Sequence, residues 1–421
     1  MQTKLADFIK DTPEGREADA ILRKCVHCGF CTATCPTYQL LGDELDGPRG
    51  RIYLIKGMLE GAEVTARTQL HLDRCLTCRA CETTCPSGVQ YGRLVDIGRK
   101  LAEERVPRPL LPLLLRLALR AVLPRRALFA MLLKMGRWLR PALPFALQDK
   151  VPAAVPAAGA WPAARHARRM LVLAGCVQPA LAPDINAASA RVLDQLGISL
   201  IEAPGAGCCG AVRFHLNAQE DGLADMRALI DAWWPYVGAK EAGAARGVEA
   251  IVMTASGCGV TVKEYGHLLA RDPAYAAKAE KISALTKDLS EVIAAELGRL
   301  KPMLAATAAS ADTSKLALQL PCTLQHGQRI TGLTESILAA AGFELTPVAD
   351  SHLCCGSAGT YSILQPELSA RLKANKLAAL HAGSPQSIVT ANIGCLSHLQ
   401  SGTALPVEHW IVALERRLAG S

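Results

Sequence analysis

The sequence predicts a multidomain chain in which an N-terminal α-helical domain is followed by two α/β domains. Three observations support this interpretation. Within the first 105 of the 421 residues, two dense cysteine clusters are separated by amphipathic helical sequence. After residue 169, short apolar runs alternate with helical runs, a pattern typical of parallel βα units. Both halves of that second region place their cysteines alike, which indicates an internal repeat.

The predicted N-terminal domain, residues 1–105, contains one cysteine spacing twice. The two runs are Cys25-x2-Cys28-x2-Cys31-x3-Cys35-Pro36 and Cys75-x2-Cys78-x2-Cys81-x3-Cys85-Pro86. This is the spacing of bacterial ferredoxins that hold two [4Fe–4S] clusters, in which the fourth cysteine of each run binds the other cluster. Zinc is the alternative for paired CxxC motifs, but zinc does not require this register twice.

We therefore predict a helical ferredoxin domain with two neighbouring [4Fe–4S] clusters. The first cluster is assigned to Cys25, Cys28, Cys31 and Cys85, and the second to Cys75, Cys78, Cys81 and Cys35. Arg49 and Arg51 lie between the two cysteine runs, where a positive charge would tune a cluster potential. Helix capping or surface ion pairing is the expected role of both arginines, because surface pairs are common and weak.

A basic segment rich in leucine and proline is expected over residues 106–168 and ends in an Ala/Pro linker. Residues 106–169 contain twelve Lys or Arg and one Asp, so this segment alone carries a charge of +11 within a chain of net +8. Arginines interrupt its apolar stretch, residues 110–145, and a transmembrane helix is not expected. The segment could lie on an anionic membrane, dock a partner subunit or serve as a solvated linker.

The sixteen cysteines indicate a reducing compartment. The first ten residues do not form the apolar core of a signal peptide, so disulfides of a secreted protein are not expected. Because the positive charge belongs to one segment, nucleic-acid binding is not expected either.

Two α/β repeats are predicted over residues 169–312 and 313–421. Each contains a first cysteine, a Cys-Cys-Gly element 32 residues later and a final Gly-Cys. The sets are Cys176, Cys208, Cys209 and Cys258, and Cys322, Cys354, Cys355 and Cys395. Four thiols at strand ends suit an additional iron–sulfur or other metal centre in each repeat, and free thiols in a purely structural motif are the alternative.

Other side chains near these cysteines are given structural roles. Four histidines, with His326 the first candidate for an extra ligand, are expected to be hydrogen-bonded or surface residues; they are His215, His326, His352 and His398. Trp233, Trp234 and Tyr236 are expected to pack in the core rather than dock a partner.

The two repeats resemble the cysteine-rich CCG domain of heterodisulfide reductase B-type subunits. In that family the last element is usually CxxC, whereas Ala255 and Asn392 stand here where the first cysteine of that pair would be. Two ferredoxin motifs followed by two CCG domains resemble the iron–sulfur subunits of glycolate oxidases. The stretches that carry this resemblance include KCVHCGFCTATCPTY, GPRGRIYLIKGML, DRCLTCRACETTCPSGV, GAGCCGAVRFHLN and DSHLCCGSAGTYS.

The resemblance implies an electron carrier without catalytic residues of its own. Separate FAD-binding flavoprotein subunits would oxidise glycolate to glyoxylate, or D-lactate to pyruvate, and this chain would pass the electrons toward a quinone. It would lie peripherally on the cytoplasmic side of the bacterial inner membrane. The Gly-rich stretch APGAGCCG, residues 203–210, is better explained by backbone that approaches the cysteine site than by dinucleotide binding, so no flavin or nicotinamide site is expected.

Alternatives to the glycolate oxidase interpretation also follow from the pattern. The chain could be the equivalent subunit of a glycerol-3-phosphate dehydrogenase or of a lactate-utilisation complex. Two alternatives belong to other functional classes. The CCG repeats could form a thiol/disulfide site like that of heterodisulfide reductases, or the chain could be a structural subunit whose CCG domains only hold partners.

Overall fold

The computed structural model describes residues 1–142, 148, 151–241, 247–307 and 314–420. These residues form an N-terminal group of helices, two further helices and two parallel sheets covered by helices. The predicted boundary between residues 312 and 313 lies outside the described residues, as does part of the predicted segment 106–168. The domain boundaries stay predictions.

The N-terminal region is α-helical, as the sequence predicts. Its helices are α1 (Pro13–Lys24), α2 (Phe30–Ala33), α3 (Pro36–Leu41), α4 (Pro48–Leu59), α5 (Ala66–Asp73), α6 (Ala80–Thr83) and α7 (Tyr91–Arg105), with a 3-10 turn at Glu44–Asp46. The hydroxyls of Thr12 and Thr65 accept hydrogen bonds from N–H groups of α1 and α5, which satisfies donors that the helices leave free. The core is formed by fully buried side chains such as Leu22, Ile55, Leu59, Leu72 and Leu94.

Two amphipathic helices follow, α8 (Leu110–Val122) and α9 (Arg126–Leu139), with a 3-10 turn at Arg140–Ala142. Among the described helices, none has both the length and the apolar character that crossing a membrane requires.

The first α/β unit is built on four parallel strands. They are β1 (Arg168–Val172), β2 (Ile198–Glu202), β3 (Ile251–Met253) and β4 (Thr286–Asp288), in the order β2-β1-β3-β4. In the register, Arg168 lies opposite Ile198, and Ile251 lies opposite Thr286. The helices are α10 (Gln178–Leu181), α11 (Asp184–Gln195), α12 (Ala211–His215), α13 (Gln219–Glu241), α14 (Ser256–Lys263), α15 (Tyr265–Leu268), α16 (Ala276–Leu285), α17 (Leu289–Ala295) and α18 (Leu297–Thr307).

The second unit repeats this topology. Its parallel strands are β5 (Lys315–Gln319), β6 (Glu344–Leu345), β7 (Ser387–Thr390) and β8 (Val407–His409), in the order β6-β5-β7-β8. Its helices are α19 (Leu333–Ala340), α20 (Tyr361–Leu364), α21 (Pro366–His381), α22 (Ile393–Gln400) and α23 (Trp410–Leu418), with a π-turn at Thr323–Gly327. The identical strand order confirms the predicted fold of two α/β units.

The two sheets share one hydrophobic core and meet at the carboxyl ends of their strands. Val172 and Val252 of the first sheet belong to the same buried cluster as Val389 and Trp410 of the second unit. Beyond β3, the N–H of Ser256 donates to the carbonyl of Ala391 at 3.2 Å. Because parallel strands present their loops at this edge, the cysteine-bearing loops of both units lie near each other.

Both α/β units contact the helical domain, but in different ways. The first unit is attached by polar contacts, including the ion pair of Arg79 with Glu264 at 2.5 Å and a contact between His267 and Glu17 at 3.0 Å. The second unit adds a small apolar core, formed by Leu76, Cys322, Cys354, Tyr361, Leu368 and Leu372. The Tyr361 hydroxyl donates to the carbonyl of Arg74 at 3.1 Å. The second unit therefore packs directly on the loop of the second cysteine run.

Candidate iron–sulfur site

The two ferredoxin-type loops have the same backbone shape. Each loop has a left-handed residue two and four positions after its first cysteine: His27 (φ 58°) and Gly29 (φ 84°), then Thr77 (φ 52°) and Arg79 (φ 61°). These turns curl each CxxCxxC loop tightly. Residues other than glycine adopt this conformation at an energetic cost, which persists where the surroundings enforce it.

The sulfurs of the two runs line two adjacent cavities. The first is lined by Cys25, Cys28, Cys31, Cys81 and Cys85 among others. The second is lined by Cys35, Cys75, Cys78 and Cys81 among others, and both are open to solvent. Cys85 thus lies with the first run and Cys35 with the second, a grouping that supports the crossed ligand sets. The assignment of individual ligands stays a prediction.

The spacing of the sulfurs fits a cluster better than a single metal ion. Throughout the described parts of the chain, no three cysteine sulfurs lie within 4.8 Å of one another. A tetrahedral zinc ion with Zn–S bonds of about 2.3 Å would hold its sulfurs about 3.8 Å apart. The two ferredoxin-type runs therefore do not form a ready tetrahedral zinc site, whereas their repeated spacing is the ligand pattern of [4Fe–4S] clusters.

A buried arginine beside the second cavity also fits an anionic group. Arg99 is buried, and its guanidinium donates to the carbonyls of Leu72 (2.9 and 3.1 Å) and Cys75 (2.5 Å). Among the described residues it has only these carbonyl partners and no carboxylate. A buried charge without a counter-charge is costly, and a cluster held by four thiolates would supply that negative charge. Nothing in the sequence distinguishes Arg99 from a surface arginine.

The two arginines singled out in the sequence differ sharply. Arg49 pairs with Glu44 at 2.6 Å with 38% of its side chain exposed, as expected. Arg51 is only 1% exposed and lines the second cavity. It donates to the carbonyl of His71 at 2.7 Å and to the hydroxyl of Thr37 at 3.2 Å. The expectation of a cap or surface pair is therefore wrong for Arg51, because the tertiary fold buries its helix face.

Burial holds several of these thiols in the protonated state when they carry no metal. Desolvation, with a contribution from Cys25, raises the pKa of Cys31 to about 11. Desolvation likewise raises the pKa of Cys78 and Cys81 well above the usual value. Because thiolates rather than thiols bind iron, loading these sites releases protons and is favoured by rising pH.

The first CCG set, Cys176, Cys208, Cys209 and Cys258, gathers at the carboxyl edge of the first sheet. Hydrogen bonds from the thiols of Cys176 and Cys209 lower the pKa of Cys208. Next to it, Arg213 pairs with Asp225 at 2.6 Å. Desolvation and the nearby Cys208 raise the pKa of that carboxyl group to about 6. In this set, the charges near the thiols are matched by neighbouring groups.

The second CCG set is buried as well. The sulfurs of Cys322 and Cys354 lie 3.8 Å apart, and Cys355 interacts with both Cys354 and Cys395. The side-chain amide of Asn392 donates to the sulfur of Cys395 at 3.6 Å and accepts from the N–H of Gly257 at 3.3 Å. Asn392, where the related family usually has a cysteine, is therefore a hydrogen-bonding link between the two units.

Steric contacts explain why each Cys-Cys-Gly element contains a glycine. Gly210 (φ 82°) and Gly356 (φ 88°) are left-handed, and a Cβ would lie 2.5 Å from the carbonyl oxygen of Gly222 and 2.7 Å from that of Ser369. Each Cys-Cys loop thus closely approaches the backbone of a long helix, α13 in the first unit and α21 in the second, and only glycine fits there.

Three of the four histidines have side-chain contacts in the structure, namely His215, His326 and His398. In His326, Nδ1 faces the Thr83 hydroxyl at 2.9 Å and Nε2 faces the carbonyl of His352 at 2.8 Å. The expectation of a hydrogen-bonded histidine is confirmed, and His326 as an extra ligand finds no support because both nitrogens are engaged. Nδ1 of His215 lies 3.4 Å from Asp96, and His398 contacts Ser369 at 3.2 Å.

The aromatic residues follow the core-packing expectation. Trp233 has no exposed surface, and Trp234 and Tyr236 pack against the same buried cluster of the first unit.

Comparison with known proteins agrees with this architecture. The family described as 4Fe-4S dicluster domain matches residues 21–89, and the family described as Cysteine-rich domain matches residues 170–263 and 316–400. The chain is 57% identical over 419 residues to the glycolate oxidase iron-sulfur subunit of Escherichia coli (strain K12), covering 99% of both chains.

More distant relatives share less of the chain. A probable glycolate oxidase iron-sulfur subunit of Bacillus subtilis (strain 168) is 30% identical, covering 90% of this chain and 89% of that protein. Lactate utilization protein A of Bacillus velezensis is 25% identical over 53% of this chain and 87% of its own length. The helical dicluster domain, the two CCG units and the full-length similarity show that this chain, an iron–sulfur electron carrier, belongs to the family of glycolate oxidase iron–sulfur subunits.

Proposed function

We propose that this chain accepts electrons from FAD-binding flavoprotein subunits that oxidise glycolate to glyoxylate, and passes them toward a quinone. The observation that carries this proposal is the pair of adjacent cavities that share Cys81. The names of the relatives at 57% and 30% identity support glycolate as the substrate of the complex. The lactate relative covers only half of this chain, which makes D-lactate the second candidate.

The residues of the chain hold and insulate the redox centres. A [4Fe–4S] cluster, when bound, takes up and releases one electron at a time. The eight ferredoxin cysteines would hold two such clusters, and Arg51 and Arg99 place positive charge beside the second. Buried side chains such as Leu76 and Tyr91 form part of the wall of the second cavity.

The flavoprotein would dock over the first cavity. Cys28 is exposed there, and the loop around it presents exposed apolar side chains, Val26 and Phe30. Tyr53, also exposed, contacts His27, with the two rings tilted by 46° and their centroids 4.3 Å apart. An apolar patch beside a solvent-open redox site is suited to transient docking of an electron donor.

The helix α8 has its charged side turned inward. Asp73 forms ion pairs with Arg108 at 2.6 Å and with the buried Arg116 at 3.1 Å. The opposite face exposes leucines, namely Leu110, Leu111, Leu114, Leu115 and Leu117. An apolar face this large is normally covered by a partner or a membrane.

The helix α9 adds further apolar side chains together with cations. Met131, Met135 and Trp138 are exposed on it, and Lys134 and Arg137 lie on the same helix. We therefore propose that α8 and α9 rest on the anionic cytoplasmic face of the inner membrane, with apolar side chains buried and cations at the headgroups.

The electron-carrier proposal is tested by reconstitution. The chain alone should not oxidise glycolate with a dye acceptor, and addition of the flavoprotein subunits should produce turnover that reduces the clusters. Robust oxidation by the chain alone would refute the carrier role. Faster cluster reduction with D-lactate than with glycolate would refute the proposal that glycolate is the substrate of the complex.

The membrane proposal is tested by flotation with vesicles of anionic and of neutral lipid. The wild-type chain should float with anionic vesicles, and the double variant Leu111→Glu/Leu114→Glu should stay in solution. If the wild type does not float and the double variant no longer binds the flavoprotein subunits, the leucine face is a subunit interface and not a membrane-binding face.

A further inference from the structure

The two CCG units share a fold but differ in the charge beside their thiols. In both units the Cys-Cys-Gly loop packs on the following long helix, and a Cβ on Gly210 would meet Met226 as one on Gly356 would meet Leu372. Met226 and Leu372 both come 16 residues after their glycine, so they occupy equivalent positions on α13 and α21. One helical turn further along, the first unit has Ile230 and the second has Lys376.

Ile230 is fully buried in the apolar core of the first unit. Lys376 is only 4% exposed, and its ammonium group donates to the carbonyls of Asp350 (2.8 Å) and Ser351 (3.4 Å). These carbonyls belong to the loop that leads into Cys354. Within the described structure, Lys376 has no carboxylate at ion-pair distance, and Asp350 is an exposed residue.

The groups that act most strongly on the Lys376 charge, besides the exposed Asp350, are cysteines. Cys354, Cys355 and Cys322 all lie within Coulombic reach of the ammonium group. A buried lysine costs folding free energy unless a negative charge compensates it. In the first unit the cation that acts on Cys208, Arg213, is instead matched by Asp225 at 2.6 Å.

The second thiol set also lies next to the ferredoxin cavities. Cys78, a predicted ligand of the second cluster, packs against the small core that contains Cys322 and Cys354. The thiols of the first set interact with one another instead, Cys176 with Cys208 and Cys208 with Cys209. A charged centre at the second set would therefore be within reach of the second cluster.

We infer that Lys376 is the charge-compensating residue of an anionic iron–sulfur centre held by Cys322, Cys354, Cys355 and Cys395, and that the first CCG set holds no such centre. Lys376 is a positioning residue: it anchors the loop before Cys354 and stabilises the negative charge of the thiolates. In the first unit Ile230 takes its place and the thiols remain a structural element.

The test measures iron and acid-labile sulfide per anaerobically purified chain, together with electron paramagnetic resonance during a redox titration. The wild type should hold about four irons beyond the eight or so of two ferredoxin clusters. Cys354→Ser should lose these additional irons, whereas Cys208→Ser should keep them. The ferredoxin signals of each variant report whether the chain is folded.

Lys376 is tested by Lys376→Met against the matched control Lys373→Met, one turn earlier on the same helix, where the ammonium group donates to the Ser401 hydroxyl at 2.8 Å. Lys376→Met should lower the occupancy of the additional centre or shift its midpoint potential to more negative values, and Lys373→Met should do neither. Equal behaviour of the two lysine variants would overturn the inference. A wild type with only about eight irons, or equal iron loss in Cys208→Ser and Cys354→Ser, would also overturn it.

Discussion

The buried carboxylate of Asp46 gives the sharpest stability prediction. It has no exposed surface and faces three groups: Arg74 at 2.8 Å, Nδ1 of His71 at 3.0 Å and Arg51 at 3.5 Å. Asp46→Asn keeps the shape of the side chain but removes its charge. The Arg51 guanidinium is then a buried cation without its carboxylate.

The size of the effect follows from burial. Removing one partner of a buried ion pair costs about 3–5 kcal/mol. The amide oxygen of asparagine still accepts one hydrogen bond and Arg74 is partly exposed, so we expect the lower end, about 3 kcal/mol. At a urea dependence of about 1–3 kcal/mol per molar, the unfolding midpoint of the N-terminal domain should fall by about 1 M or more.

The matched control is Glu44→Gln in the same domain. Glu44 pairs with Arg49 at 2.6 Å, and both side chains are more than a third exposed. A surface pair contributes at most about 1 kcal/mol. Urea unfolding is followed anaerobically by the visible absorbance of the clusters. Equal shifts of the midpoint in Asp46→Asn and Glu44→Gln would refute the reasoning from buried charge.

Three further predictions concern ligation, pH and packing. In Cys85→Ser, alkylation mapped by mass spectrometry should reach Cys25, Cys28 and Cys31 while Cys75 stays protected; the reverse pattern would contradict crossed ligation. Burial lowers the pKa of His409 to about 3, so the folded chain keeps it neutral, and stability should fall as pH drops below about 6.5. His409→Gln should remove that part of the slope between pH 7.5 and 5 in urea unfolding, and an unchanged slope would argue against it. Trp233→Ala should cost about 3–5 kcal/mol of unfolding free energy and Trp234→Ala clearly less, since only Trp233 is fully buried; equal losses would show that Trp233 is not the core residue described.

The fold and the ferredoxin loops were predictable because their determinants are local. The CxxCxxC spacing fixes a short loop, and the left-handed positions at His27 and Thr77 fall at the same place in both runs. The repeated strand order likewise follows from alternating apolar and helical runs. The position of Asn392 as a link between units was not predictable, since it depends on how the two sheets meet.

Which cationic side chains are buried could not be predicted from the sequence, because their burial depends on the tertiary fold. Arg49 and Arg51 are two residues apart, yet one is at the surface and the other inside, because helix α4 turns only one of them toward α5. Arg99 and Lys376 look like ordinary surface cations in the sequence. In the basic segment, the sequence does not reveal that Arg108 and Arg116 pair with Asp73 inside the structure while the leucines of the same segment are exposed.

The central claim is that the first hundred residues hold two iron–sulfur clusters close enough to exchange electrons. It is tested most directly by electron paramagnetic resonance on the anaerobic chain after full reduction by dithionite. Two reduced clusters in cavities that share Cys81 should give a spectrum broadened by spin–spin interaction. Two independent signals without such interaction, or a colourless chain that contains zinc, would contradict the account.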